Sequence, residues 1–222
     1  MNGLKSVTIA VSRDYVCAKP RRLSTKTSLW DNSMNDKRFP ELSTERLELC
    51  EITSSHVDWY FEHFNTPEII AGQGFPGPSN LEAAKEELDR YIVGLFKEGG
   101  GFRWGIRLMG ESEIIGSAGF YSWDKENAKA DMGYELRPPY WGKGIMKEAL
   151  ERIVTFGFEE MGLNRIKVTI MSNNPRSMGL IEKVGFRREG IMKDYSKFEG
   201  EYTDEHFFAM LKRDWLAKRE GI

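Results

Sequence analysis

Two glycines one residue apart form the stretch of this chain whose residue types most directly predict chemistry. Residues 139–150 read PYWGKGIMKEAL, so Gly142 and Gly144 lie directly before a segment typical of a helix. The first turn of a helix exposes N–H groups without intrahelical partners, at the positive end of the helix dipole. Because glycine has no Cβ, the backbone there can approach a bulky ligand. The stretch therefore predicts an anion site of the kind that binds phosphate.

Two familiar phosphate-binding motifs do not fit this turn. A dinucleotide fingerprint has a third glycine three residues after the second, where this chain has Lys147. The Gly-Lys-Ser/Thr ending of a P-loop is also missing from the turn. Taken alone, the two glycines are equally compatible with a tight strand-to-helix turn that binds nothing.

The hydrophobic pattern predicts the elements that position this turn. Ser55 is expected to start a short aromatic helix, and Ser79 with Glu82 to form the capping box of a second helix. A third helix follows the glycines, and Asn174 before Pro175 opens a fourth. Predicted strands cover residues 44–52, 102–109, 113–123, 130–137, 165–171, 186–193 and 202–212.

The order of these elements predicts the fold class. Antiparallel strands come first, and a β-α-β-α-β series follows them along the chain. We therefore expect an α+β fold with a mixed, mostly antiparallel sheet that is flanked by helices on both faces.

Composition excludes several function classes. The chain has 222 residues, of which 40% are hydrophobic and 30% charged, with a net charge of −2. This mixture is typical of a globular protein with a sizeable core, and it argues against a dedicated nucleic-acid binder. No apolar run long enough to span a membrane is found in the sequence. We expect neither nucleic acid nor membrane as a partner.

The two cysteines, Cys17 and Cys50, lack the spacing of metal ligands, so neither a disulfide framework nor a metal site is predicted. This cysteine usage is typical of a reducing compartment, and a cytoplasmic protein is predicted.

The beginning of the chain differs from the rest. Its first thirty residues contain six basic residues and one acidic residue, and they are rich in serine and threonine. We interpret residues 1–40 as a basic, loosely ordered extension and residues 41–222 as one domain. A start at Met34 is a related interpretation, and a targeting segment is the alternative.

The longer segment around the glycines resembles the GNAT acyltransferase superfamily, and within it the ribosomal-protein N-terminal acetyltransferases. The resemblance covers roughly residues 42–213. It is carried by a set of short motifs in the sequence, namely GYEL (133–136), WGKG (141–144), LNRI (163–166), NPRS (174–177), EKVGF (182–186) and EGEYTDEHFFAML (199–211). The superfamily signature Q/R-x-x-G-x-G/A falls on residues 141–146, where only Gly144 matches strictly, since Trp141 and Met146 replace its first and last residues.

The resemblance implies an acetyl-CoA-dependent N-acetyltransferase that needs no metal. The diphosphate of acetyl-CoA would lie on the main-chain amides of the glycine turn. Its pantetheine arm would lie along the strand before the turn. The residues implied to contact acetyl-CoA are Leu136, Arg137, Trp141, Gly142, Lys143, Gly144, Ile145, Met146, Lys147, Asn174 and Ser177. For Asn174, simple helix capping is an equal alternative.

The implied reaction is direct attack of a primary amine on the thioester. Glu135 is the first candidate for the base, with an ordinary ion pair as the alternative. Glu199, Glu201 and Asp204 are reserves, and Asp204 is expected mainly to organise local structure. Many superfamily members carry a tyrosine acid where this chain has Ile181, so Ser177 is the candidate that assists the leaving thiolate. An alternative for Ser177 is a local backbone contact.

The sequence is compatible with more than one class of acceptor. A protein N-terminal α-amine follows from the resemblance, and a small-molecule amine remains open. Phe64, Ile69, Phe75 and Pro76 are expected to give the acceptor border an apolar character. A non-catalytic acyl-CoA-binding module and an enzyme that uses other phosphorylated nucleotides are further alternatives. Either a monomer or a homodimer is compatible with the sequence.

Overall fold

The structure, a computed structural model, describes residues 38–198 and 200–221. Most of the proposed N-terminal extension lies outside the described residues. The strands are β1 (Leu42–Ser43), β2 (Leu47–Glu51), β3 (Phe102–Leu108), β4 (Gly116–Asp124), β5 (Lys129–Leu136), β6 (Arg165–Met171), β7 (Arg187–Phe198) and β8 (Glu201–Leu211). The helices are α1 (Val57–Phe64), α2 (Pro67–Gln73), α3 (Leu81–Leu88), α4 (Gly94–Lys97), α5 (Ile145–Glu159), α6 (Pro175–Val184) and α7 (Lys212–Glu220).

All eight strands form one sheet in the order β1-β2-β3-β4-β5-β6-β8-β7. Every neighbouring pair is antiparallel except β5 and β6, which run parallel. That parallel pairing is short and ends at Asp131 opposite Lys167. Strand β5 nevertheless remains paired with β4 as far as Leu136, and β6 with β8 as far as Met171. Strands β5 and β6 therefore diverge, and a gap opens in the middle of the sheet.

Helices cover both faces of the sheet. Helices α5 and α6 pack on one face, where alternate residues of β3 to β6, such as Trp104, Phe120 and Ile166, are fully buried. On the other face, α1 and α3 bury Cys50, Ile52 and Leu88 in a second cluster. The predicted fold class, a mixed and mostly antiparallel sheet between helices, is confirmed.

Local capping explains where two helices begin. Asn174 caps α6, since its side chain accepts a hydrogen bond from the Ser177 amide and Pro175 occupies the first helical position, as predicted. The predicted capping box at Ser79 is wrong. The cap of α3 is Asn80, whose side-chain oxygen accepts from the Ala83 amide at 2.9 Å. Both residue types suit this position, so the sequence alone did not separate them.

Two helices were not predicted. Helix α2 begins at Pro67, in a segment whose glycines and prolines are typical of a loop. Helix α7 follows β8, and its one buried residue is Trp215 in a largely charged stretch. A single buried position gives no helical periodicity, which explains why no element was predicted after the strand over residues 202–212.

Candidate active site

The glycine turn has the backbone geometry that requires glycine. Gly142 and Gly144 adopt φ angles of +74° and +77°, in the left-handed region. A Cβ on Gly142 would meet no atom within 4 Å, so conformation rather than crowding demands glycine at that position. No side chain caps the first turn of α5. Its leading amides therefore lack the usual internal acceptor, which makes this turn suited to an anion.

An ion pair fixes the turn to the start of the sheet. Glu148, in the first turn of α5, accepts hydrogen bonds from the Thr44 hydroxyl at 2.5 Å and from Arg46 Nε at 2.6 Å. Burial alone would raise the pKa of Glu148, but these two partners outweigh it, and the pKa is lowered. Arg46 Nη1 also donates to the Lys143 carbonyl at 3.2 Å. The loop before β2 thus holds both ends of the turn.

The edge of β5 that faces the gap carries the main-chain groups of Tyr134 and Leu136. The Arg137 amide donates to the Ile115 carbonyl at 2.9 Å, on the side of β4. Since neighbouring residues of a strand point their N–H and C=O groups to opposite sides, Tyr134 and Leu136 point theirs into the gap. Of the two strand residues predicted to contact the cofactor, Leu136 is therefore placed toward the gap and Arg137 is not.

Arg137 makes structural contacts at the end of β5. Its carbonyl accepts from the Tyr140 amide at 3.0 Å. Its guanidinium pairs with Glu113 and, at 3.3 Å, with Glu62. These contacts tie the end of β5 to the loop before β4 and to α1.

Trp141 lies between the gap and α6. Its amide donates to the Pro138 carbonyl at 3.0 Å, so this amide is already occupied. The indole Nε1 donates to the Leu136 carbonyl at 2.6 Å, and the Arg176 guanidinium lies over the indole ring, 4.0 Å from its centroid. The Trp141 indole thus bridges the end of β5 and the first turn of α6.

The remaining residues of the turn divide into buried and exposed ones. Ile145 and Met146 are buried in the core beneath α5, so only their main chain can meet a ligand. Lys147 pairs with Glu151 at 2.6 Å. Lys143 is exposed, and no carboxylate of the described residues lies within 4.0 Å of its ammonium group. Lys143 is therefore a cation available to an anionic ligand.

The start of α6 faces the same gap from the other side. The Ser177 Oγ lies 2.6 Å from the Tyr134 hydroxyl. Burial raises the pKa of Tyr134 to about 12, although the hydrogen bond with Ser177 opposes the shift. Asn174 accepts from the Ser177 amide at 3.1 Å and donates through Nδ2 to the Gly72 carbonyl at 3.3 Å. Asn174 thus joins α6 to the end of α2.

Glu135 lies on the opposite face of β5, toward α1. Its carboxylate accepts hydrogen bonds from Arg103 and, at 2.9 Å, from the Ser117 hydroxyl. The side chains of Arg103 and Glu135 are only 12% and 18% exposed, so water screens this pair weakly. The structure therefore brings Ser177 to one face of the gap and Glu135 to the other.

Further polar groups line the face that carries Glu135. Asp131 pairs with Lys167 at 3.1 Å, and burial raises the pKa of Asp131 against the effect of this cation. The carboxylate of Glu205 accepts from the Ser196 hydroxyl, and it has no cation within 4.0 Å in the described part of the chain. Glu205 lies opposite Met171, at the end of β6 beside the gap.

Sequence reasoning did not single out Tyr134 as a hydrogen-bond partner, nor Arg103 or Glu205 as site residues. The GYEL motif contains Tyr134, and strand alternation places it on the face opposite Glu135. That alternation was the one available signal. The contacts of Arg103 and Glu205 depend on strand order, which no local pattern encodes.

The reserve carboxylates occupy other positions. Glu199 lies outside the described residues, and Glu201 is exposed on the β7–β8 hairpin. Asp204 accepts from Lys193 at 2.7 Å and from the Asp194 amide at 3.0 Å. It thereby stabilises an irregular part of the hairpin, which agrees with the structural purpose expected for it.

The predicted apolar border of the acceptor site is wrong in part. Phe64 and Ile69 are 7% and 5% exposed and belong to the cluster beneath α1 and α3. They are buried because α1 and α2 turn these residues toward the sheet. Phe75 is half-buried and Pro76 is exposed, so these two remain available at the surface.

Comparisons with known proteins agree with the geometry. A family profile described as the acetyltransferase (GNAT) domain matches residues 46–187. The uncharacterized N-acetyltransferase YoaA of Bacillus subtilis is 31% identical over 174 residues, which are 78% of this chain and 98% of that protein. The [ribosomal protein uS5]-alanine N-acetyltransferase of Escherichia coli is 31% identical over 167 residues, which are 73% of this chain and 84% of that enzyme.

A solved structure shares the fold at much lower identity. The spermidine N-acetyltransferase of Vibrio cholerae, crystallised with CoA and spermine, superposes with a TM-score of 0.70 at 17% identity. The match covers 78% of this chain and 99% of that one. At this identity the likeness concerns the fold.

Proposed function

The chain belongs to the GNAT acetyltransferase family and is an acetyl-CoA-dependent N-acetyltransferase, and we propose that its acceptor is a protein N-terminal α-amine. The relative from Escherichia coli is named for an alanine of a ribosomal protein, which supports this acceptor class. The observation that carries the proposal is that Glu135 and Asp131, on the face of β5 toward α1, are each paired with a cation.

Carboxylates in general are weak bases, and this favours an acceptor that loses its proton easily. Glu135 is paired with Arg103, and Asp131 with Lys167. A lysine ε-amine has a pKa of about 10.4 and an α-amine one of about 7.7–8.0, a difference of about 3.4 kcal/mol in deprotonation. An α-amine therefore needs only the weak base that this face offers. The same neutralised charges favour a singly charged amine over a polycation.

The residues of the turn and gap fit acetyl-CoA. The uncapped amides of α5, with Gly142 and Gly144, would hold the diphosphate, and Lys143 would add a positive charge. The β5 edge at Tyr134 and Leu136, beyond its pairing with β6, would pair with the amides of the pantetheine arm, as an added strand does. Bound acetyl-CoA supplies an activated acyl group as a thioester.

The chain's own groups would then support the transfer. The Leu136 amide, which faces the gap, would donate a hydrogen bond to the thioester carbonyl as charge develops on its oxygen. Glu135 would accept the amine proton through one water, with Arg103 and Ser117 holding the carboxylate in place. Ser177 would donate a hydrogen bond to the leaving sulfur, with Tyr134 as its partner.

A small-molecule amine is the second candidate, and Glu205 is the observation that favours it. Glu205 has no cation partner among the described residues, and it lies at the gap. A carboxylate in that position would attract an amine that carries a second positive charge. The spermidine enzyme of Vibrio cholerae, which has the same fold, shows that this architecture admits such acceptors in another protein.

An acceptor screen separates the two candidates. Thiol release from acetyl-CoA is followed with peptides that begin with alanine, serine or methionine, with the same peptides blocked at the N-terminus, and with polyamines. Turnover of free but not blocked peptides is expected, even when the blocked peptides contain lysine. Turnover of polyamines alone would overturn the proposed acceptor, and the family membership would stand.

A further inference from the structure

The Trp141 indole occupies a main-chain acceptor in the gap between β5 and β6. Its Nε1 donates to the Leu136 carbonyl at 2.6 Å, and the Arg176 guanidinium covers the ring at 4.0 Å from the centroid. We call these three groups the indole latch. Arg176 has no carboxylate within 4.0 Å in the described part of the chain, so its one defined contact there is the ring.

The latch uses the group that an inserted strand would need. Pairing between β5 and β6 ends at Asp131, and Tyr134 and Leu136 point their main-chain groups into the gap. A ligand that adds to this edge through its own amides requires the carbonyls as acceptors. A carbonyl that already accepts a hydrogen bond from an indole offers a new amide a poorer site. The indole and the pantetheine arm therefore compete for Leu136.

We propose that the indole latch closes the pantetheine channel in the free protein and opens when coenzyme A binds, exchanging the indole N–H for a pantetheine amide at the Leu136 carbonyl. The proposal rests on the acetyl-CoA dependence of the enzyme. In this proposal the Trp141 indole stabilises the free protein. It does not contribute to the affinity for coenzyme A in the complex. Opening also releases Arg176 beside the glycine turn, where the phosphates would lie.

The sign of an affinity change tests the latch. Trp141→Phe keeps an aromatic ring and removes the indole donor. Since the lost bond stabilises only the free state, coenzyme A should bind about 3- to 10-fold more tightly to the variant, the effect of one neutral hydrogen bond. The control ligand is 3′-phosphoadenosine 5′-diphosphate, the nucleotide half without the pantetheine arm. Its dissociation constant should stay within about twofold of the wild-type value if it does not enter the gap.

Titration calorimetry measures the dissociation constants of both ligands. Two outcomes would overturn the latch. One is weaker binding of coenzyme A by Trp141→Phe, which would place the indole among the groups that bind the ligand. The other is equal tightening for both ligands, which would assign the effect to the turn and not to the gap. Thermal melting of both proteins checks that the variant folds.

An NMR measurement on the wild-type protein is independent of any variant's stability. The Trp141 indole resonance is assigned by its disappearance in Trp141→Phe. It should move upfield when coenzyme A is added, because the hydrogen bond is lost, and stay in place with the nucleotide half. An unmoved resonance in the coenzyme A complex would refute the exchange. Absence of any coenzyme A binding would instead contradict the function itself.

Discussion

The Tyr134 hydroxyl lies 2.6 Å from the Ser177 Oγ, although the two residues are 43 positions apart in the chain. One is on β5 and the other on the first turn of α6, so their contact spans the gap between the diverging strands. A serine hydroxyl that already has a partner is held in one orientation. We propose that this pair takes the place of the tyrosine that many members of the superfamily carry where this chain has the buried Ile181.

Removing either hydroxyl of this pair should slow the transfer. We expect Ser177→Ala to lower kcat about tenfold, the value of one hydrogen bond to a developing charge. Tyr134→Phe should have a similar effect, and the double variant should lose no more than the worse single one, since both changes break the same contact. Stopped-flow assays give kcat, and calorimetry with coenzyme A checks that binding is intact. A Tyr134→Phe enzyme at the wild-type rate would show that Ser177 acts without this partner.

Glu135 should be required for turnover and not for cofactor affinity. We expect Glu135→Gln to lower kcat at pH 7 by at least about tenfold, because the amide cannot accept the amine proton. Asp131→Asn is the matched control, since Asp131 has a similar ion pair on the same face and should leave kcat within about twofold. Initial rates measured from pH 6 to 9 give kcat for both variants. A larger loss in Glu205→Gln than in Glu135→Gln would transfer the role of base to Glu205.

A substitution in the glycine turn should weaken the binding of coenzyme A in addition to lowering the stability of the fold. Gly142 and Gly162 have φ angles of +74° and +72°, and a Cβ on either would meet no atom within 4 Å. Changing each to alanine should therefore cost a similar stability, about 1 kcal/mol. Only Gly142→Ala should also raise the dissociation constant of coenzyme A, because only that residue lies where the diphosphate would bind. Equal affinity in the two variants would exclude this turn as the diphosphate site.

Buried His63 should make the protein less stable in mild acid. Burial is the main cause that lowers its pKa to about 4. The charges of Arg137 and Arg103 lower the pKa further, and the charge of Glu135 opposes the shift. In the unfolded chain the pKa is about 6.5, so only the unfolded state binds a proton between those values. The contribution of His63 to the free energy of unfolding is therefore fully present above pH 6.5. It falls by about 3 kcal/mol as the pH drops toward 4.

Urea unfolding at several pH values measures this slope. His63→Phe, which keeps a ring beside Trp59, removes the titrating group and should flatten the dependence between pH 4 and 6.5. Neither ring nitrogen of His63 has a hydrogen-bond partner within the described residues, so the variant should lose little at pH 7. An unchanged slope would assign the acid sensitivity to other groups.

The sequence was sufficient for the parts of the fold that are encoded locally. The order of the strands and main helices, the glycine turn and the Asn174 cap were predicted from periodicity, turn chemistry and capping. Helix α2 was not predicted, because glycines and prolines conceal it. Helix α7 was not predicted either, because only Trp215 anchors it.

The candidate site depends on contacts that no local pattern contains. Arg103 reaches Glu135 because β3, β4 and β5 are neighbours in the sheet. Arg176 lies over Trp141 because α6 follows the divergence of β5 from β6. The sequence could nominate Glu135 and Ser177 one by one, but it could not predict that opposite faces of one gap would carry them.

The short seam between β5 and β6 has a mechanical consequence. In the part of the chain that the structure describes, β5 and β6 face each other over three residue pairs. A ligand that fills the gap would contact both β5 and β6, and it would thereby restrict the motion of the two halves of the sheet relative to each other. We expect the protein to be stiffest when coenzyme A or its acetyl thioester occupies the gap, so that its resistance to proteases rises with the supply of this ligand.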